Sequence, residues 1–447
     1  MTVDRAAPNS IGGRPAHFLF AMFQGGGNIP LILPVAAELV ARGHQVRVLA
    51  GPGIRGSRLP MSERFRERIA AAGAVQVPFE EPAVHPLAGV PTRGLLRGWT
   101  PAPYKRESEW ARVSLWSPSW AQNVTRELRR ESADVVVADF ELRGALAAAE
   151  AARVPHAALV HAIPWRTASG VPPRGPGFPP AQGPRGQLRD LLGNAIIERV
   201  QARDGLPPLN RARAQLGLRP LRSPFDQYDV AHRVLILASQ AFDFPARHPS
   251  PNVRYVGTPF DDAGVPSDCW RPPPASSAND PLVLVSLSTL NQGQTALMHC
   301  ILAAAASLRA RIVVTLGPSL DRSEFIAPPN VTLETFVPHA AVLPHVTGMV
   351  TQCGLGTLAK ALAHEIPLVC LPLVGDQPDN AARVEARGAG VRLPADATAE
   401  QIRSALQRIL DEPSFRDGAR RLGRTIAAEA GVRTAADELE SLVKVPA

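Results

Sequence analysis

A glycine-bearing segment in the second half of the chain carries residue types that could bind a phosphate group. Apolar residues 348–351 run into a small turn, 352–357, and a helix is predicted to begin at Gly356. Unpaired backbone N–H groups and the positive end of the helix dipole bind anions at such a position. Gly354 and Gly356 would let a phosphate approach the backbone, and Thr357 can add a hydroxyl. Because ordinary strand–helix turns also contain glycines, this spacing alone leaves a purely structural interpretation open.

A carboxylate and an amide stand side by side in the segment 371–380, at the end of another predicted strand. Asp376 and Gln377 can both form directional hydrogen bonds with hydroxyl groups, so the pair predicts recognition of a polyol. The alternative is that Asp376 only caps the following helix. For Asp379 and Asn380 the capping role is the interpretation we favour.

Several segments, taken in chain order, resemble one enzyme family. The run from residues 336–339 (Phe-Val-Pro-His), through 352–357, to 376–381 is similar to the donor signature of the macrolide and plant UDP-type glycosyltransferases. Many bacterial members of that family glycosylate antibiotics and other natural products. The resemblance spans most of the chain, and the further matching segments are residues 27–46, 134–139, 154–156, 254–257, 261–262 and 285–289.

The resemblance implies a GT-B fold, in which two Rossmann-like parallel-sheet domains face each other across a deep cleft. It also implies a role for each matching residue. The backbone of Val337 would meet the nucleobase, and Ser286 and Thr289 would lie near the phosphates. Asp376 and Gln377 would bind the sugar hydroxyls. The implied phosphate turn consists of Gln352, Cys353, Gly354, Gly356 and Thr357.

Family members transfer the sugar in a single displacement that inverts the anomeric centre, and they need no metal for catalysis. No Asp-x-Asp triplet occurs in this sequence, so a carboxylate-held Mg²⁺ is not indicated. The resemblance therefore implies a metal-independent enzyme without a cofactor. It would move a hexose or deoxyhexose from a dTDP- or UDP-sugar to a small hydrophobic natural product. The nucleotide-sugar donor and the aglycone acceptor are the expected partners.

Two histidines that are usual in the family are absent. Asn28 occupies the position of the catalytic base, and an amide cannot take a proton at neutral pH. Gln352 replaces the histidine of the phosphate turn, and its neutral hydrogen bond is roughly half as strong as a charge-assisted one. Asp139 matches the acidic partner of the missing base. The base could therefore be Asp139 itself, His161 or His85.

The candidate catalytic residues are thus Asn28, Asp139 and His161. Loss of a general base costs about 10²–10⁴-fold in rate, which slows transfer without forbidding it. An acidic acceptor, or a nucleophilic nitrogen or carbon, would need the base less. The alternative function is that of a catalytically impaired homologue, which binds nucleotide sugar or aglycone and assists a partner enzyme.

The acceptor side carries weaker signals. Trp116 and Trp165 could line an aromatic acceptor pocket, although core packing is the alternative. Two irregular regions, residues 78–104 and 169–187, are rich in Pro and Gly. Such loops either face a ligand cleft at the carboxyl ends of strands or serve as mobile linkers, and both interpretations stay open.

The elements that must position these residues form two successive α/β series. The periodicity of apolar residues predicts strands at 17–22, 45–50, 134–138 and 156–160, and helices at 31–42 and 144–153. A second series has strands at 282–286, 311–315, 331–336, 348–351 and 368–371, and helices at 295–309, 356–364 and 380–387. We therefore expect an acceptor domain at 1–260, a linker at 261–280, a donor domain at 281–430, and a C-terminal helix at 431–447 that packs back on the first domain.

Composition excludes several other classes. The net charge of +8 comes from arginines that are scattered through the chain, so a nucleic-acid partner is not expected. Four cysteines show neither metal-ligand nor disulfide spacing, and no metal site is predicted. No apolar run reaches the length of a membrane span, and no signal segment is recognised. We expect a cytoplasmic protein for which a homodimer is a candidate assembly.

Overall fold

Two parallel β-sheets form the framework of the protein. The computed structural model describes residues 14–53, 62–86, 104–163, 165–244, 246–261, 266, 269–275, 280–288 and 292–443. In the first sheet the strands are β1 (His17–Phe23), β2 (Gln45–Gly51), β3 (Val75–Val77), β4 (Val135–Asp139), β5 (His156–Val160), β6 (Arg233–Ile236) and β7 (Val253–Tyr255). They lie in the order β3-β2-β1-β4-β5-β6-β7, and all neighbours run parallel.

Helices cover both faces of the first sheet, which is why its central strands are buried along their whole length. These helices are α1 (Ile29–Ala41), α2 (Glu63–Ala71), α3 (Lys105–Arg112), α4 (Ser117–Arg130), α5 (Arg143–Ala151), α6 (Gly183–Val200), α7 (Leu206–Gln215) and α8 (Asp226–Asp229). A π-helical turn, Gln201–Gly205, joins α6 to α7.

The second sheet repeats this arrangement. Its strands are β8 (Leu282–Ser286), β9 (Arg311–Thr315), β10 (Val331–Glu334), β11 (Gly348–Thr351), β12 (Leu368–Cys370) and β13 (Gly390–Arg392), in the parallel order β10-β9-β8-β11-β12-β13. Its helices are α9 (Thr295–Ala305), α10 (His339–Val342), α11 (Leu355–Ala363), α12 (Gln377–Ala386), α13 (Ala399–Asp411), α14 (Pro413–Ala428) and α15 (Gly431–Val443). The two Rossmann-like halves confirm the predicted fold class.

The last helix, α15, lies against the first domain. Arg42, at the end of α1, donates to Glu440 at 3.0 Å, and Nε2 of His44 lies 2.8 Å from another oxygen of Glu440. Arg233 donates to Glu438 at 2.7 Å. The chain thus crosses from the second sheet back to the first, although the exact domain boundaries stay a prediction.

Several predicted boundaries are wrong by a few residues. The helix that we expected at 295–309 ends at Ala305. The side-chain amide of Asn330 donates to the carbonyls of Ala305, Leu308 and Ala310, and so satisfies groups that a longer helix would have bonded internally. The helix expected at 380–387 begins earlier, at Gln377, because a proline is tolerated in the first helical turn, where its missing N–H is not needed.

The irregular region expected at 169–187 ends at Gln182, where α6 begins. Most of the region at 78–104, from 87 to 103, lies outside the described residues. None of the helices in the described ranges combines the length and apolarity that a membrane span requires.

Candidate active site

The phosphate turn lies at the carboxyl end of β11 and leads directly into α11. Gly354 is the N-cap of this helix, and its carbonyl accepts the N–H of Leu358 at 3.0 Å. The amides of residues 355–357 precede the helix's internal hydrogen-bond ladder, and they point out of the helix N-terminus. Gly354, Gly356 and Thr357 are half-buried, so the protein's own side chains do not cover the turn. This geometry suits the binding of a diphosphate.

Cys353 adopts an unusual backbone conformation within this turn. Its φ of 70° lies in the left-handed region, which favours glycine and is unusual for a residue with a side chain. The hydroxyl of Thr351 accepts the N–H of Cys353 at 3.2 Å and so stabilises that conformation. Burial, together with the neighbouring Cys370, raises the pKa of the Cys353 thiol well above its usual value. Cys353 therefore shapes the turn through its backbone and keeps a neutral, buried thiol.

The side chain of Gln352 lies close to the backbone of Gly354 in the same turn. Its side chain is 7% exposed, and Thr351 donates its hydroxyl to the amide oxygen at 3.4 Å. The amide nitrogen of Gln352 would lie 3.4 Å from a Cβ placed on Gly354. This nitrogen can therefore donate a neutral hydrogen bond toward the space in front of the turn.

The predicted sugar-binding pair lies at the start of α12. Asp376 is partly exposed, and one of its carboxylate oxygens accepts a bond of 2.9 Å from the amide of Asn380. Gln377 is more constrained, because its amide oxygen accepts the N–H groups of Leu373 and Val374, both at 2.8 Å. The nitrogen of Gln377 is what remains for a sugar hydroxyl, and it also donates to Gln292 at 3.1 Å.

Asn380 joins the two parts of the donor site. Its amide nitrogen donates to the carbonyl of Cys353 at 3.0 Å and to Asp376 at 2.9 Å. The side chain is fully buried. The interpretation of Asn380 as a helix cap is therefore wrong, because its side chain connects the predicted phosphate turn to Asp376, the carboxylate of the predicted sugar-binding pair.

The remaining donor residues surround the carboxyl ends of β8 and β10. Val337 is buried, whereas Phe336 beside it is 67% exposed. Ser286, at the end of β8, is 6% exposed, and its hydroxyl lies 3.3 Å from Nε2 of His339. His339, which the sequence indicates only as a helix-start or loop residue, does begin α10, and it also lies at the predicted phosphate side of the site. Thr289 lies outside the described residues.

Asn28 lies in the first domain, immediately before α1, and is 1% exposed. It stands at the N-cap position of α1, where its backbone carbonyl accepts the N–H of Ile32 at 2.9 Å but its side chain makes no capping bond. Its amide nitrogen donates to Asp139 at 2.9 Å and to the carbonyl of Phe23 at 3.0 Å. Among the described residues its amide oxygen has no hydrogen-bond partner, although it is buried. The amide thus engages Asp139 as a histidine N–H would.

The same carboxylate oxygen of Asp139 lies 3.2 Å from Nε2 of His161. The side chain of Asp139 is fully buried, and its other oxygen accepts the N–H of Glu141 at 3.0 Å. His161 is 11% exposed, and its ring packs edge-on against Phe140 with centroids 5.1 Å apart. The tertiary structure therefore brings Asn28, Asp139 and His161 together around one carboxylate.

The two domains come close together at the first turns of α1 and α11. A Cβ placed on Gly356 would lie 3.8 Å from Cδ2 of Leu31, which is in the first turn of α1, and it would contact nothing else within 4 Å. Leu31 follows Asn28 by three residues. The phosphate turn consequently lies next to the end of α1 that carries Asn28.

The two tryptophans expected on the acceptor side are both buried. Trp116 is 1% exposed and packs against the ring of His85, with centroids 5.0 Å apart. Trp165 is 6% exposed and packs edge-on against Tyr228 at 5.1 Å. Their contact with an acceptor stays a prediction.

Asp379 is a buried carboxylate that sequence reasoning assigned to helix capping. Its two oxygens instead accept the backbone N–H groups of Gly175 and Gly177, in the first domain, at 2.7 and 3.0 Å. Burial raises the pKa of Asp379 to about 7, against the opposing effects of Arg383 and of these two hydrogen bonds. The surrounding charged or titratable groups are Asp376 and Arg383 on α12, and Tyr104 and Arg174 from the first domain.

This raised pKa gives the stability a defined dependence on pH. Between about pH 4 and pH 7 the folded protein keeps the proton of Asp379 while the unfolded chain has lost it. The contribution to the free energy of unfolding therefore falls as pH rises through this window, by on the order of 1.4 kcal/mol per unit of pKa shift, and is constant above it. Urea titrations of wild type and Asp379→Asn between pH 5 and 8 should show their difference changing with this sign. A difference that is independent of pH would contradict the assignment.

No group of three or more His, Cys, Asp or Glu side chains is arranged to hold a metal ion in the described part of the chain.

Comparison with known proteins gives a consistent result. Residues 299–442 match the family model described as erythromycin biosynthesis protein CIII-like, C-terminal domain. The chain is 32% identical over 450 residues to 4'-demethylrebeccamycin synthase of Lentzea aerocolonigenes, covering 96% of this chain and all of that protein. It is also 32% identical over 243 residues to 10-deoxymethynolide desosaminyltransferase of Streptomyces venezuelae, covering 52% of this chain and 56% of that enzyme.

Solved structures extend the likeness to the whole fold. The glycotransferase of kitacinnamycin superimposes with a TM-score of 0.73 at 20% identity, covering 96% of this chain and 99% of that one. The calicheamicin glycosyltransferase CalG4 superimposes with a TM-score of 0.70 at 22% identity, covering 97% and 100%. At these identities the superpositions bear on the fold alone.

Proposed function

The chain belongs to the glycosyltransferases of antibiotic pathways, and on this basis we propose that it is an inverting, metal-independent enzyme. It moves a hexose or deoxyhexose from a dTDP- or UDP-sugar to a small hydrophobic natural product. One observation carries the proposal: the half-buried N-terminus of α11 lies against the first turn of α1, beside Asn28 and its partner Asp139. A leaving diphosphate would bind at the N-terminus of α11, and an acceptor would attack from the side of the Asp139 group.

On the donor side, each group has a chemical role. The amides of residues 355–357 and the helix dipole stabilise the charge that develops on the leaving diphosphate. Gln352 adds a neutral hydrogen bond in the place of an imidazolium. Asp376 and the nitrogen of Gln377 hold sugar hydroxyls, and the exposed ring of Phe336 is available to the nucleobase. Because fixed amides supply the electrostatic stabilisation, the reaction does not depend on a divalent cation.

On the acceptor side, we assign the general base to His161. Asn28 cannot accept a proton, and Asp139 has no exposed surface and already has three polar neighbours. His161 is partly exposed, and Asp139 is placed to orient its ring and to stabilise the imidazolium that forms. The acceptor proton passes to His161 as the acceptor attacks the anomeric carbon opposite the diphosphate, which inverts that centre.

A panel of nucleotides tests the proposed donor chemistry. Calorimetry with dTDP, UDP and GDP should show binding of a pyrimidine diphosphate and weaker binding of GDP. Intact-mass assays with the matching nucleotide sugars and a set of aromatic and macrolide aglycones should then show sugar transfer, at the same rate with and without EDTA. Loss of transfer in EDTA that is restored by Mg²⁺ contradicts metal independence.

The same assays separate the enzyme from a helper subunit. The helper alternative rests on Asn28, which fills the usual base position with an amide already bonded to Asp139. A helper binds nucleotide sugar or aglycone without turnover and accelerates a partner enzyme. Transfer by the isolated chain at a useful rate excludes this alternative, whereas binding without any turnover supports it.

A further inference from the structure

The Pro- and Gly-rich segment of residues 165–182, which we call the strap, runs from the carboxyl end of β5 to the start of α6. In the first domain it is held by a buried network. Arg174 donates to the carboxylate of Glu107 at 2.8 Å and to the carbonyl of Trp165 at 3.1 Å. The guanidinium also lies 4.6 Å from the centroid of the Trp110 ring. One end of the strap is therefore rigidly attached, four residues after His161.

The middle of the strap is attached to the second domain. The carboxylate of Asp379 accepts both the Gly175 and the Gly177 backbone N–H groups, and Arg392 donates to the carbonyl of Gly177. Contact between Gly177 and α12 is close, since a Cβ at this glycine would lie 2.4 Å from the carbonyl oxygen of Pro378. These contacts connect residues about two hundred positions apart in sequence.

The strap is attached at the first turn of α12. The predicted sugar-binding pair, Asp376 and Gln377, lies at the start of the same turn. Asp379 lies three residues after Asp376, and Asn380 connects the same turn to the phosphate turn. Farther along α12, Arg383 donates to Asp243 of the first domain at 2.8 Å, so the helix is held to that domain at a second place. The strap therefore connects two parts of the proposed site. It follows the proposed base, His161, along the chain, and it is hydrogen-bonded to the helix that carries the proposed sugar-binding pair.

We infer that the strap sets the distance between the acceptor wall and the donor sugar, and that Asp379 is its positioning residue in the second domain. The inference rests on the proposed function, because it takes α12 as the sugar-binding element and His161 as the base. Displacements of about 1 Å between reacting groups can cost on the order of 10²-fold in rate. A displaced strap would also let water reach the anomeric carbon, so that hydrolysis of the donor competes with transfer.

Two glycines provide a matched test. Gly177 and Gly183 both have positive φ values, 68° and 66°, so an alanine meets the same backbone strain at either position. A Cβ on Gly183 contacts nothing within 4 Å, whereas one on Gly177 would clash with the carbonyl oxygen of Pro378 at 2.4 Å. We expect Gly177→Ala to lower kcat for transfer by about 10-fold or more, and to raise the ratio of donor hydrolysis to transfer. Gly183→Ala should resemble wild type in both, apart from a small loss of thermal stability.

The outcomes distinguish failure of the inference from failure of the proposed function. If wild type and both variants bind the nucleoside diphosphate alike in calorimetry, the donor site is intact. A hydrolysis-to-transfer ratio that then stays the same in Gly177→Ala and Gly183→Ala overturns the strap. Absence of diphosphate binding by wild type overturns the proposed function instead.

A second pair of variants and a readout without activity keep the test independent of folding. Asp379→Ala removes the acceptor of two strap amides, and Asp321→Ala removes an exposed carboxylate that accepts the Ser323 N–H at 2.9 Å elsewhere in the second domain. Hydrogen exchange should become faster in peptides covering 170–182 in Asp379→Ala and remain unchanged there in Asp321→Ala. Equal protection of the strap in both variants contradicts the attachment.

Discussion

Replacing His161 with glutamine is expected to lower kcat for sugar transfer by about 10²–10⁴-fold, the usual contribution of a general base. The amide is similar in size and can donate a hydrogen bond to Asp139, which lies 3.2 Å from Nε2 in wild type, but it cannot take the acceptor's proton. Affinity for the nucleoside diphosphate should not change, because that site lies on the second domain. Single-turnover rates and calorimetry measure the two quantities separately.

A rescue variant makes this assignment specific. Asn28→His in the His161→Gln background restores an imidazole beside Asp139, since Asn28 already donates to that carboxylate at 2.9 Å. The double variant should recover at least part of the lost rate. A His161→Gln enzyme with wild-type kcat for an acceptor whose hydroxyl is not acidic shows that His161 is not the base.

The second large effect is expected at the phosphate turn. Gly356→Val places a branched side chain in front of the helix N-terminus, where the diphosphate is proposed to bind. We expect the dissociation constant of the nucleoside diphosphate to rise by more than about 100-fold, because several hydrogen bonds to a charged group are lost and each contributes about 1.5–3 kcal/mol. The rate of sugar transfer at low donor concentration should fall by the same factor as the affinity for the nucleoside diphosphate.

The fold should tolerate this change. A Cβ at Gly356 meets only Leu31, at 3.8 Å, and glycine is a poorer helix former than valine. The unfolding temperature of Gly356→Val should therefore match that of wild type, and Gly356→Ala should give an intermediate loss of affinity. If Gly356→Val binds the diphosphate as wild type does, the turn is not the phosphate site.

How much of the site was predictable depended on how local each interaction is. The turn proposed to bind phosphate could be predicted because glycines, a strand end and a helix start are adjacent in sequence, and the amides proposed to bind the anion belong to the same segment. The φ of 70° at Cys353 was not predictable from its residue type, since left-handed backbone is rare outside glycine. There the hydroxyl of Thr351 holds the strained residue.

Residues whose partners are distant were misassigned. Asp379 and Asn380 have the composition of helix caps, yet Asp379 binds amides 204 and 202 positions away, and Asn380 binds the carbonyl of Cys353. His339, the first residue of α10, lies 3.3 Å from the hydroxyl of Ser286 at the end of β8, a contact between residues 53 positions apart. Propensity describes the local backbone alone, and a buried polar side chain takes whichever partner the tertiary structure supplies.

The amino-acid sequence by itself determined two parallel α/β halves and a glycine-bearing strand–helix turn at the start of α11, because hydrophobic periodicity and backbone chemistry act over a few residues. Only the tertiary structure decided what surrounds Asp139. The parallel order β1-β4-β5 brings the start of α1, the end of β4 and the residue after β5 to one edge of the sheet, so that Asn28 and His161 share one carboxylate. Attachment of the strap to α12 was likewise decided by the packing of the two domains, since a carboxylate removed from water needs donors and the nearest ones came from the other half of the chain.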